Sequence, residues 1–263
     1  MSKSAAPSFD EPTGWPEDAV RDAFVGDWFL YQRRGGHRTS TDDVLTAWFA
    51  VKRSQGRPIE RYLDLGCGVG SVLLMVAHRL RPALSLGIEA QAQSALMAAR
   101  SIAELPQPMC ISVQHGDLRG LHGLEPFQLI TGSPPYFPLG TGVLPDDAQR
   151  RACRFELRGG VEDYCQAAAP HLAAQGSLVL VFPTAGDARV LRAAEAAGLF
   201  IRARADVGMR PDRGGPFLTV YSLAREPGPC AAQALCVRDG SGELTAAYRA
   251  ARHTLGLDRA RAA

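Results

Sequence analysis

Between residues 60 and 80 a short apolar strand, a triple-glycine turn and an apolar helix follow one another with no spacer. Tyr62 to Leu65 reads as a buried strand, and Ser71 to Leu80, with Val-Leu-Leu-Met-Val-Ala at its centre, as a buried helix. Gly66, Gly68 and Gly70 lie between them, where the absence of a Cβ lets a ligand approach the backbone. A strand-turn-helix unit of this kind restricts the chain to an alternating α/β sheet, in which ligands bind beyond the carboxyl ends of the strands. A dinucleotide-binding turn would place its third glycine at position 71. Here Ser71 stands there, and Asp64 precedes the first glycine. A carboxylate at that point repels a pyrophosphate and suits a ligand that carries positive charge.

Three further strand ends carry chemistry. Glu89 closes an apolar strand over Ala83 to Ile88, about twenty residues past the glycine turn, the place from which an acid accepts hydrogen bonds from ribose hydroxyls. Cys110 to Gln114 leads into His115-Gly116-Asp117-Leu118. Phe127 to Ile130 runs into Ser133-Pro134-Pro135-Tyr136. Proline gives no ladder donor and biases its predecessor towards extended backbone, so Ser133 is expected where a strand ends.

The chain of 263 residues is long enough for one substantial core, and its charged content of 21% belongs to an ordinary globular protein. No stretch reaches the ~18 apolar residues that a membrane span needs, and the N-terminus has no secretory apolar region, so the cytoplasm is the expected compartment. The cysteines at 67, 110, 153, 165, 230 and 236 form no Cys-x-x-Cys pair, which argues against a metal site and a disulfide framework. A net charge of +2 announces no global attraction to nucleic acid. Local clusters do: Arg33, Arg34, His37 and Arg38; Arg150, Arg151, Arg154 and Arg158; and Arg202, Arg204, Arg210 and Arg213. Arginine suits bidentate phosphate contact.

Along the chain, residues 1 to about 20 read as a mobile tail and 21 to 263 as one domain. Thr39 to Val51 is a helix capped by Ser40 or Thr41. Residues 137–160 read as a polar connection facing the substrate. A helix from Val161 to Ala173 precedes a strand from Ser177 to Phe182, a helix spans Ala188 to Ala197, and Leu199 to Val207 pairs with Phe217 to Ala224. The sum is a doubly wound, seven-stranded, mostly parallel sheet with a C-terminal antiparallel hairpin, followed by an extra short strand and a helix over Ala246 to Thr254.

The Asp-x-Gly-x-Gly-x-Gly turn resembles the S-adenosylmethionine loop of class I methyltransferases, a Rossmann-like fold, and Ser-Pro-Pro-Tyr resembles the Asn/Asp/Ser-Pro-Pro-Tyr/Phe motif of those that modify a planar nitrogen. His37 to Leu45, with Thr41-Asp42, is similar to the Gly-Thr-Asp-x-x-Leu-Leu segment of bacterial tRNA(Val) adenine-N6-methyltransferases, as are Arg154-Phe155-Glu156 and Gly242 to Tyr248. That family has Asn where this chain has Ser133 and Gly where it has Ser40; Ser-Pro-Pro-Tyr/Phe also occurs among cytosine-N4 methyltransferases. The resemblance implies S-adenosylmethionine held by Asp64, Gly66, Cys67, Gly68, Gly70, Glu89, Ala90, Asp117, Leu118, Thr41 and Asp42. It places Ser133, Pro134, Pro135 and Tyr136 at the reacting amino group, in an enzyme expected to be a metal-free monomer, while the length, glycines and arginines of the 137–160 connection suggest RNA on Arg150, Arg151 and Arg154. Three other readings stay open on sequence: a protein-glutamine methyltransferase, a small-molecule amine methyltransferase, and a non-enzymatic protein on the same fold.

Overall fold

In the computed structural model, residues 12–212 and 214–258 are described. Eight strands form the main sheet: β3 (Arg61–Leu65), β4 (Leu84–Glu89), β5 (Ile111–His115), β6 (Phe127–Gly132), β7 (Leu172–Pro183), β8 (Phe200–Gly208), β9 (Leu218–Ala224) and β10 (Ala231–Cys236). Their spatial order is β10-β8-β9-β7-β6-β3-β4-β5, and β9 alone runs antiparallel to its neighbours. The chain winds outward from β3 through β4 to β5, then returns to β6 on the other side. Leu65 pairs with Gly132 across that switch point, so the glycine turn and the proline motif emerge side by side. In open α/β sheets the crevice there takes the ligand.

Alternation within β7 builds a core on each face. Val179 and Val181 pack with α1 (Thr41–Arg53), α2 (Ser71–Leu80) and α7 (Ala246–Leu255), while Leu178, Leu180 and Phe182 pack with α5 (Val161–Ala168) and α6 (Asp187–Ala196). Period-two alternation puts neighbours on opposite faces, and burial on both makes such a strand apolar throughout. α1 begins at Ser40, whose amide donates to Asp43 at 3.0 Å in a capping box. α3 (Ala92–Ala103) follows β4.

Three expectations change. The helix expected to reach Ala173 ends at Ala168, and β7 starts at Leu172. The alanine-rich run has helical propensity, but Gly176 sits inside the strand. A Cβ there would lie 2.8 Å from the Phe127 carbonyl, in the region where the β6–β7 register shifts. The connection at 137–160 contains a helix, α4 (Ala148–Arg154), which Asp147 caps by accepting from the Arg150 amide. An antiparallel hairpin, β1 (Ala19–Ala23) and β2 (Phe29–Arg33), precedes the sheet and is tied to α3, with Tyr31 donating to Glu104 at 2.9 Å. The tail expected over residues 1 to 20 lies outside the described residues as far as residue 11. Beyond that point Pro16 is buried and the Trp15 ring stands edge-on to Tyr31 at 5.3 Å. Arg213 also lies outside the described residues.

Gly132 ends β6 where a Cβ would come within 2.6 Å of the Tyr164 ring and 3.2 Å of Leu180. Gly132→Ala is therefore expected to destabilise by about 1–3 kcal/mol through overpacking. Gly120→Ala, with open space at its Cβ, should stay within about 0.5 kcal/mol of the parent. Urea midpoints compare the two, and equal midpoints would show that Tyr164 does not wedge this strand end.

Candidate active site

Gly66, Gly68 and Gly70 all take positive φ, from 56° to 90°, which L side chains rarely adopt. Gly66 is packed under Tyr164 of α5, whereas a Cβ at Gly68 would meet nothing within 4 Å, so the chain is bared there towards open space. The turn is pinned by Glu89. Its Oε2 accepts from the Gly68 amide at 2.7 Å and its Oε1 from the Gln91 amide at 2.7 Å. A carboxylate accepts up to about four hydrogen bonds, so holding this turn and holding a ribose are compatible roles.

Asp64 is 2% exposed and lies beneath the turn rather than on the cavity wall. Its Oδ1 accepts from the Thr131 hydroxyl at 2.6 Å, and Thr131 in turn shares a 2.7 Å hydrogen bond with the Tyr62 hydroxyl. Oδ2 is buried with no full hydrogen bond. Burial pushes the Asp64 carboxyl up to about 7 and nearby Glu89 adds to this, against the Thr131 hydroxyl and the Leu73 amide. Asp43 is also driven well above the usual carboxylate range, by burial first and then by Asp42. Asp43 lines the cavity together with three further acids, Asp42, Glu89 and Asp117.

That cavity, of about 380 Å³, joins both motifs. Gly66, Cys67, Gly68, Glu89, Ala90, Asp117 and Leu118 line it from the cofactor set, with Asp42 from α1; Ser133, Pro134, Pro135 and Tyr136 line it from the motif loop; Arg154 lines it from α4. Asp64, Gly70, Thr41, Arg150 and Arg151 do not reach it. Gly70 is the left-handed N-cap of α2, and Thr41 faces Tyr248 of α7. Asp117 caps a single turn over Leu118–Gly120 and is clasped by Arg119 at 2.6 Å, so it meets any ligand as one half of an ion pair.

The motif loop is held from two sides. The Tyr136 and Phe137 amides donate to the Arg154 carbonyl at 3.1 and 3.0 Å. The Tyr136 hydroxyl donates to Asp42 at 2.9 Å, and its ring stands edge-on to Phe182 at 5.7 Å. Ser133 Oγ is buried with no hydrogen-bond partner. Of the three arginines expected to meet substrate, Arg154 and Arg150 are exposed, while Arg151 turns back to the Pro145 carbonyl at 3.0 Å and supports its own loop.

Sequence reasoning missed Thr131, Asp43, Tyr164 and Gln149. Thr131 stands two residues before Ser133, on the same face of a strand, and Asp43 beside Asp42 in one helical turn, so both had a spacing signal. Gln149 had none. It is 5% exposed, accepts from the His37 amide at 3.1 Å and donates to Ser94 at 3.0 Å, which bolts α4 over the cavity.

Asp64 gives a pH test. Its folded pKa is raised above its unfolded value, so the folded carboxyl keeps a proton that the unfolded chain releases as pH rises from about 4 to 7. Stability tied to this group is therefore lost over that window. Asp64→Asn should gain on the parent by on the order of 1 kcal/mol per pH unit from pH 4 to 7 and then level off. Urea unfolding at pH 4.5, 6 and 8 measures the difference; a pH-independent difference would mean that Asp64 is ordinarily ionised.

No protein-family model matches the chain. It is 27% identical over 220 residues to a tRNA1(Val) (adenine(37)-N6)-methyltransferase of Yersinia enterocolitica, covering 82% of this chain and 84% of the relative. To the protein of that name from Cronobacter sakazakii it is 26% identical, over 84% and 89% of the two chains. Among solved structures, a predicted O-methyltransferase from Agrobacterium tumefaciens superposes with a TM-score of 0.61 at 22% identity, over 82% of this chain and 98% of that one. A 16S rRNA N2 G1207 methyltransferase from Thermus thermophilus, solved with S-adenosylmethionine and guanosine, gives 0.54 at 16% identity, over 79% and 50%. The chain has the Rossmann-like class I methyltransferase fold, and its sequence resembles the bacterial tRNA1(Val) adenine-N6-methyltransferases over more than four-fifths of its length.

Proposed function

We propose that this protein is an S-adenosylmethionine-dependent methyltransferase acting on the N6 amino group of an adenine in tRNA, in the anticodon-loop region. One observation carries the reading: the unpartnered Ser133 hydroxyl and the Tyr136 ring close the same cavity as the glycine turn and its acids. The named relatives support the RNA substrate and the position.

The residues present fit the cofactor. Gly68 leaves room for a ligand at the backbone, Asp64 keeps an unsatisfied buried oxygen beneath the turn, and Asp42, Asp43 and Glu89 face the cavity. That donor-poor, acceptor-rich set suits a ligand with an ammonium and a sulfonium. When bound, S-adenosylmethionine supplies a methyl group on a positively charged sulfur that leaves readily.

The protein's part is alignment and charge. An adenine amino nitrogen shares its lone pair with the ring and is a poor nucleophile. Acceptors aimed at its hydrogens, the Ser133 Oγ and the Pro134 carbonyl, favour a pyramidal nitrogen and stabilise the charge that develops there. Tyr136 offers a stacking face worth ~1–3 kcal/mol, and its bond to Asp42 fixes that face. An unpaired loop presents its bases at small unstacking cost, so extrusion into the cavity is feasible. Arg154 stands exposed on the cavity wall for a phosphate, and the exposed Arg150 lies outside it on the same helix.

Labelled methyl transfer to unmodified tRNA, followed by nucleoside digestion, should yield N6-methyladenosine; label in a protein amide or a small amine would overturn the reading. Ser133→Ala should leave cofactor affinity unchanged and slow single-turnover transfer by about 3–4 kcal/mol in barrier, 10²–10³-fold. Ser133→Asn should be tolerated, since an amide carbonyl replaces the hydroxyl as acceptor. Parental turnover in Ser133→Ala would reduce the motif to a structural turn.

A further inference from the structure

At the opposite end of the sheet a second cavity, of about 650 Å³, opens between the C-terminus of α1, the start of β7 and the end of β9. Lys52, Arg53, Arg57 and Arg202 line it, against the single acid Glu226. Among the described residues none of these four cations makes an ion pair. Lys52 donates to Gln233, Arg57 to the Arg53 and Gln175 carbonyls, and Arg202 to the Glu226 and Pro227 carbonyls, all of them neutral acceptors. Some arginines elsewhere are neutralised: Arg33, Arg189 and Arg204 each clasp two carboxylates. The buried hydroxyls of Ser177 and Ser222 also line the cavity.

Uncompensated guanidinium and ammonium groups beside buried hydroxyls match an oxyanion with several acceptors, and a guanidinium fork matches phosphate in particular. We propose that this cavity binds a backbone phosphate of the same RNA whose base enters the active site. The inference rests on the function proposed above. α1 supports the shared occupant because it joins the two sites: Asp42 lines one cavity and Lys52 the other, about 15 Å apart along the helix axis at ~1.5 Å per residue. That spacing corresponds to about four nucleotides at ~3.4 Å per step of one strand. A phosphate about four nucleotides from the extruded base is thus within reach of the second cavity.

The experiment uses Gln55→Glu and the double variant Lys52→Glu/Gln55→Glu. Both residues are exposed, and the Arg57 and Arg202 clamps stay intact. Thermal melting confirms the fold, and Gln55→Glu, which removes no cation, stands alone if the double variant fails to fold. Binding of full-length tRNA at several salt concentrations should weaken by at least ~10-fold at low salt, with a salt slope shallower by ~0.7–0.9 for each lost phosphate contact. Methyl transfer to a single-stranded oligonucleotide too short to span both cavities, and cofactor affinity, should not change. In a parallel arm, inorganic phosphate and pyrophosphate are titrated against the parent by thermal shift. Unchanged RNA binding and slope would overturn the proposal: with a phosphate-induced shift the cavity takes a small phosphate ligand, and without one its cations only clamp backbone carbonyls. If the parent methylates tRNA while the variants match it throughout, this inference alone fails. A parent that neither binds nor methylates tRNA overturns the proposed function as well.

Discussion

A carboxylate buried under a bared backbone turn is the constraint around which this molecule is arranged. Asp64 has one oxygen satisfied by Thr131 and one left without a full hydrogen bond, inside a sheet where burying a charge is expensive. Three structural commitments follow from keeping it there. β3 and β6 must sit side by side to bring Thr131 to it; Tyr62 must be buried to hold Thr131; and the glycine turn must cover it. Glu89 locks that turn through the Gly68 amide, which links the first strand end to the second. Burial, with nearby Glu89 adding to it, raises the Asp64 carboxyl, and a cation brought to the turn would favour its ionised form.

The motif-loop side of the cavity is fixed by different means. The Ser-Pro-Pro-Tyr loop leans on the Arg154 carbonyl at the end of α4, and α4 is fastened to α3 and to the segment before α1 by the buried Gln149. Arg33 extends the chain of restraints by pairing with both Asp18 and Asp147, the N-cap of α4. The N-terminal hairpin therefore braces the helix that braces the motif loop. Tyr136 reaches across the cavity and bonds to Asp42 of α1.

Much of this was legible in the sequence because local and global signals agree there. The glycine turn, the strand ends and the helix over Ser71 to Leu80 are specified by apolar periodicity and by residues that only certain backbone conformations accept. The candidate residues at those strand ends were proposed for the same reason, and Gly66, Cys67, Gly68, Glu89, Asp117, Ser133 and Tyr136 line one cavity. What escaped depends on long-range packing. Gly176 looks like a helix stop and is a strand glycine forced by the nearness of the Phe127 carbonyl. The hairpin over residues 19–33 is short and polar on one face, and α3 supplies its partners from far along the chain. Gln149 and Arg151 read as part of a polar connection facing the substrate, yet one is a buried bolt and the other a brace for its own turn. A short polar helix carries no periodic signal, because its few contacts are hydrogen bonds rather than apolar area.

The most direct test of the central claim is a count of protons exchanged when S-adenosylmethionine binds, from calorimetry near pH 6.5 in buffers of different ionisation enthalpy. With its carboxyl near 7, Asp64 is largely protonated in the free protein at that pH and must lose its proton to face a cation. The account predicts net release of on the order of half a proton or more per site, reduced in Asp64→Asn. A binding enthalpy independent of buffer, or net proton uptake, would contradict it.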